Sequence, residues 1–111
     1  MLQSFHDQGY IHCDIKPDNI LIGDFKKNPR LMNKIYLIDF GISQKYQDEN
    51  LNHLPFKENI NFKGNVIFSS KNAFAHYSLS RRDDIISFVY LIIFCINSNV
   101  SWVDNNKPVA L

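Results

Sequence analysis

The chain has 111 residues, a formal net charge of +1, 45% apolar and 14% aromatic residues. That is enough for one small domain with a core. The near-neutral balance argues against a nucleic-acid partner held by a basic field and against a polybasic membrane anchor.

In chain order, Leu2, Phe5 and His6 share one helical face, with Gly9 as the stop. The segment reads as the last turns of a helix whose beginning lies upstream, which is the expectation for a truncated chain. "MLQSFHDQGY" has no basic stretch followed by an apolar one, so no signal peptide is expected. "HCDIKPDN" follows, and Pro17 rules out a regular helix through it. "ILIG" and "KIYLID" read as two short strands joined by the polar connection "DFKKNPRLMN". From Phe40 to about Ser80 the pattern is irregular and polar, and a loop that long is more often functional than ordinary. A long helix is expected from Ser80–Arg82 to about Asn97. Its apolar run "IISFVYLIIFCI" is too short for a bilayer, which needs about 20 residues, and reads as a buried core helix. The tail "SNVSWVDNNKPVAL" is polar, with Trp102 expected to anchor it against that helix.

"HCDIKPDN" admits three chemistries. A zinc site would need a second His/Cys pair, and His53 and His76 are isolated. A nucleophilic Cys13 would need a histidine facing it, whereas adjacent loop side chains usually point apart. Phosphoryl transfer fits better. Asp14 and Asn19 stand just before one strand, and the next strand ends in Asp39-Phe40-Gly41. Asn19 and Asp39 would then converge on one Mg²⁺, an oxygen-seeking ion that binds with phosphate. Asp14 would be free to take a proton from an attacking hydroxyl, and Lys16 would offset charge on the moving phosphoryl group. Each fragment is weak alone; in this order, with a strand pair between them, they are strong.

The order resembles the middle of a eukaryotic protein kinase: "HCDIKPDN" the catalytic loop, "IDFG" the metal-binding segment. Within kinases, "YIHCDIKPDNILIG", "IYLIDFG", "KYQD", "LPFKENINFKGN" and above all "SRRDD" resemble the casein kinase I family, and "SSKN" resembles its Ser-Ile-Asn stretch. The resemblance covers almost the whole chain. It implies an α+β fold, the C-terminal lobe of a kinase, mainly helical with one short β-hairpin, and residues 1–111 as a partial catalytic domain without the N-terminal lobe. It implies transfer of the ATP γ-phosphate to Ser/Thr of protein substrates, acidic ones in this family. It gives Asp14 as catalytic base, Lys16 as the phosphate-contacting lysine, and Asn19 and Asp39 as ligands of the Mg²⁺ that accompanies ATP. His12 and Phe40 align with stacked spine residues, and Asp84 with a buried helix aspartate that hydrogen-bonds the catalytic-loop backbone. Asp83 reads as its more exposed neighbour, a helix-start charge.

Several positions depart from the family pattern. Cys13 stands where most kinases have arginine, so control through a phosphorylated activation loop is not expected. Asn65 replaces a threonine that helps hold the base, Ile67 an arginine linked to recognition of a substrate phosphate or acidic group, and Val89 a helix glycine. No Gly-rich loop, strand lysine or partner glutamate lies upstream, so this polypeptide by itself is expected to be a poor catalyst. Two other functions compete: a non-catalytic pseudokinase-like binding module, favoured by the changes at Cys13, Asn65 and Ile67, and a small-molecule phosphotransferase with a related loop.

Of the remaining residues, Cys95 reads as a small core residue, and His53 and His76 as surface loop histidines. Phe56, Phe62, Phe68 and Phe74 read as loop anchors packed onto the lobe. Two cysteines in no CxxC pair suit a reducing, intracellular compartment, cytoplasmic or nuclear.

Overall fold

In the computed structural model, which describes residues 1–97 and 100–103, helix α1 (Leu2–His6) opens the chain. It stops where Gly9 takes φ +87°. Strand β1 (Tyr10–Ile11) then leads into the HCDIKPDN loop, whose Pro17–Asn19 stretch is a single 3₁₀ turn. Proline fits there because the first residue of such a turn needs no N–H partner.

Strands β2 (Ile20–Ile22) and β3 (Ile35–Leu37) pair antiparallel, Ile20 opposite Leu37 and Ile22 opposite Ile35. Asp24 accepts from the N–H groups of Lys26 and Lys27, and Asn28 caps a 3₁₀ turn at Pro29–Leu31, so the connection is held by its own side chains. Strand β4 (Gln44–Lys45) runs antiparallel to β1. Helix α2 (Lys71–Phe74) is capped by Ser70, and α3 (Arg81–Ile96) is the one long helix among the described residues.

The core is small. Ile15, Phe68 and Leu91 form its centre, with Leu2, Ile20, Leu37, Ile67, Phe88, Tyr90 and Phe94 packed around them. It therefore joins the HCDIKPDN loop, the segment before α2 and the middle of α3.

The strand pair β2–β3, the turn at Gly9 and the bounds of α3 agree with the sequence expectations. The α+β fold, with more helix than strand and the expected β2–β3 hairpin, agrees with the expectation, and a second strand pair adds to it. Two strand pairs are present, and much of the described chain is irregular. The stretch 40–80 contains β4 and α2, elements too short to leave a periodic pattern.

α3 also differs from a buried core helix. Leu91 and Ser87 are buried, but Ile85, Val89, Ile92, Ile93 and Ile96 are exposed. The helix is apolar all round, so its sequence marks no preferred face. Cys95 lies on the exposed side rather than in the core. No described helix is long and apolar enough to cross a membrane.

Asp83 is buried, not exposed. It accepts hydrogen bonds from the Ser70 hydroxyl (2.6 Å), the Asn72 amide (3.0 Å) and the Ser80 N–H (2.8 Å), which ties α2 to the start of α3. Of the four spaced phenylalanines only Phe68 is in the core. Phe62 pairs with Phe74 and Phe56 with Tyr77 near the surface. Trp102 packs on Tyr90 of α3, ring centroids 5.5 Å apart; residues 98–99 and 104–111 of the expected tail lie outside the described residues.

Candidate active site

The HCDIKPDN loop is hung from α3. Asp84 is 2% exposed, and its carboxylate accepts from the His12 N–H (2.7 Å), the Cys13 N–H (2.9 Å) and His6 Nε2 (2.8 Å). A buried carboxylate needs such donors or it costs several kcal/mol. These also fix two successive loop N–H groups around Cys13, which takes φ +70°.

His12 is fully buried. Its Nε2 donates to the Ile38 carbonyl (3.0 Å), and Nδ1 accepts from the Asp14 N–H (3.2 Å), which sets the tautomer. Its ring meets Phe40 edge-on at 5.4 Å, and Phe5 of α1 packs against Phe40 at 5.1 Å. The imidazole thus joins the HCDIKPDN loop to the end of β3.

Asp14 is held on both oxygens. Asn65 Nδ2 donates to Oδ1 at 3.2 Å and to the Ile15 carbonyl at 3.3 Å. Asn19 Nδ2 donates to Oδ2 at 3.3 Å and to the Asp14 carbonyl at 2.8 Å. Lys16 Nζ lies 3.8 Å from Oδ2. Asn65 is itself fixed by the Phe68 N–H on its Oδ1 (2.6 Å). Gly64, at φ +125°, lets this segment come close. A Cβ there would lie 2.5 Å from Ser69 Oγ and 2.9 Å from the Cys13 carbonyl.

The Ile38 N–H donates to the Asn19 carbonyl, so Asn19 and Asp39 stand at neighbouring strand ends. Asp39 takes φ +59°, is exposed and, among the described residues, accepts only a 3.2 Å bond from the Gly41 N–H. The structure therefore brings Asp14, Lys16 and Asn19 together and sets Asp39 beside Asn19.

Sequence reasoning undervalued Asn65. Its amide touches the Asp14 carboxylate, the very contact that loss of a threonine put in question. His6 was missed as a third partner of Asp84, though a histidine on the inward face of a short helix was a visible signal. Cys13 carries no nucleophile. Burial, with the Asp84 carboxylate next, pushes its thiol up to about 12, and Lys63 only partly opposes this. His53 and His76 are exposed, as expected, and bond backbone carbonyls of the surface loops.

Residues 1–108 match the family model of the protein kinase domain. The chain belongs to the protein kinase domain family. That membership makes phosphotransfer to proteins the general activity, and kinases as a family use ATP with Mg²⁺.

The donors present in this kinase domain fit the ion. The Asn19 hydrogen bonds use its amide nitrogen, leaving Oδ1, and the Asp39 carboxylate is exposed; both are hard oxygen ligands. Among the described residues no three His, Cys, Asp or Glu side chains gather into a metal site. The remaining ligands for an ion between Asn19 and Asp39 would therefore be phosphate oxygens and water.

Proposed function

We propose that this chain is the C-terminal-lobe part of a casein kinase I-like Ser/Thr protein kinase, with Asp14 as the catalytic base. The observation that carries the reading is the Asp14 carboxylate, held by Asn65, Asn19 and Lys16 beside the strand ends that bear Asn19 and Asp39. Mg²⁺–ATP supplies the phosphoryl group and an electrophilic γ-phosphorus. Asp14 accepts the proton of a Ser or Thr hydroxyl as the hydroxyl oxygen bonds to that phosphorus and the bond to ADP breaks. Lys16 offsets negative charge on the transferring oxygens. Asn19 Oδ1 and Asp39 would hold the Mg²⁺ that accompanies ATP, which would offset charge on the phosphates. The two unpaired cysteines support a reducing cytoplasmic or nuclear setting.

The groups that cover the ATP phosphates in kinases have no counterpart in these 111 residues, so the polypeptide by itself is expected to transfer phosphate slowly. The test is labelled phosphate transfer from ATP to a Ser/Thr protein substrate. Asp14→Asn should lower the rate by roughly 10²-fold or more. Transfer that survives Asp14→Asn unchanged overturns the assignment of the base.

A further inference from the structure

A cleft of about 350 Å³ lies between β4, the loop around His53 and the start of α3. It shares no lining residue with the surface that Asp14, Lys16 and Asn65 edge. Its charged lining is of one sign, Lys45, Lys57 and Arg82, with His53 beside them and no carboxylate among the described residues. Lys45 and Lys57 are exposed, and neither ammonium has a hydrogen-bond or ion-pair partner among the described residues. Arg82 reaches the buried Asp83 carboxylate through Nε alone, at 3.5 Å, which leaves its two terminal nitrogens as donors.

The backbone holds these cations in place. Lys45 is in β4, opposite Tyr10. The Lys57 N–H donates to Ser78 Oγ and the Ser78 N–H to the Lys57 carbonyl, both at 2.9 Å. Arg82 stands in the first turn of α3. Tyr46, a wall of the cleft, is fixed by its hydroxyl on the His6 carbonyl at 2.6 Å and carries Arg81 over its ring at 4.7 Å. Like charges gathered on such a frame repel one another. An anion of charge about −2 relieves that repulsion and accepts several charge-assisted hydrogen bonds at once. Leu54, Pro55 and Leu79 add apolar wall, which a bare anion would leave in water and a polypeptide would cover.

We propose that this cleft docks a phosphorylated serine or threonine of a partner protein, held by Lys45, Lys57 and Arg82, with apolar neighbours against Leu54 and Leu79. The proposal goes beyond the catalytic reading and does not depend on the role of Asp14.

The experiment measures binding of a fluorescently labelled peptide to the 111-residue chain by anisotropy, without nucleotide. The peptide carries one phosphoserine between leucines, and its unphosphorylated form is the comparison. The phosphopeptide should bind at least about tenfold tighter, since one hydrogen bond to a charged group is worth roughly that factor. Lys45→Gln and Lys57→Gln should each remove most of that difference while leaving the urea midpoint unchanged. Lys16→Gln, beside Asp14, should leave the affinity unchanged. Inorganic phosphate should compete only at concentrations at least about tenfold above the phosphopeptide's Kd, because it makes no apolar contact. Equal affinity for the two peptides would overturn the proposal. So would a loss in Lys16→Gln as large as in Lys57→Gln, which would seat the peptide beside Asp14. Inorganic phosphate competing at the phosphopeptide's own Kd would also overturn it, by making the cleft a site for a free anion.

Discussion

Asp84 does the work of three contacts with one carboxylate, and its removal is the sharpest single-residue test of the fold. Asp84→Ala would leave the His12 and Cys13 N–H groups and His6 Nε2 without their acceptor in a buried place. Unsatisfied buried groups of this kind cost about 3 kcal/mol or more in sum. Urea unfolding should show that loss, with Asp84→Asn losing less because one oxygen remains; an unchanged midpoint in Asp84→Ala would show that the loop is held by something else. Cys13 offers a pH test of the same joint. Its folded pKa is raised from 9.0 to about 12 by burial and by Asp84. Above pH 9 the unfolded chain loses the thiol proton while the folded chain keeps it, so the unfolded state binds fewer protons and stability falls. The thiol's contribution is thus intact below pH 9 and lost as pH rises toward 12. Cys13→Ser removes the titrating group, so its unfolding free energy should fall less than the wild type's between pH 9 and 10.5, as followed by urea unfolding across that range. A parallel fall would place the Cys13 thiol in water.

The long helix separates what local sequence encodes from what it does not. Its limits were legible because Ser80 and the acidic pair open it and polar residues follow Ile96. β2 and β3 were legible as β-branched runs between turn residues. The pairing of β1 with β4 was not, since two-residue strands carry no period and meet only through tertiary placement. Asp83 and Asp84 look alike in sequence; each is buried because a distant partner comes to it, Ser70 and Asn72 for one, the HCDIKPDN loop for the other. The site divides the same way. The order of Asp14, Asn19 and Asp39 is local and readable, whereas the Asn65 amide reaches Asp14 from 51 residues away. The face on which α3 is buried had to come from the fold. Leu91 is in the core, and Leu91→Ala should cost about 2–5 kcal/mol in urea unfolding. Val89 and Ile96 are exposed on the opposite side, so Val89→Glu and Ile96→Glu should leave that midpoint nearly unchanged while reducing self-association in sedimentation velocity. A Glu variant as destabilising as Leu91→Ala would mean that this face is buried.

The molecule as a whole is a slab of 45 × 39 × 20 Å with a radius of gyration of 15.6 Å, against about 13 Å for a compact chain near this length. A slab has much edge and little interior, and of the two residues that would hold a metal Asn19 is buried and Asp39 exposed. This geometry sets how Mg²⁺ and nucleotide should depend on each other. Mg²⁺ demands six oxygens in near-octahedral array and gives up water reluctantly. Asn19 and Asp39 supply two side-chain ligands at most, and no described acidic cluster adds a third. Mg²⁺ alone should therefore bind weakly, and nucleotide alone should lack the charge that offsets its phosphates beside Asp14 and Asp39. Each should strengthen the other by the same factor, since the coupling is a property of the ternary state, and 5–150-fold is the range roughly expected of such couplings. Calorimetric titration of ATP into the chain with and without Mg²⁺ reads that factor directly. Asp39→Ala should bring it close to one, with the fold unchanged because the Asp39 side chain accepts a single bond from its own turn. Tight Mg²⁺ binding in the absence of nucleotide, or a coupling that survives in Asp39→Ala, would move the metal away from the strand ends.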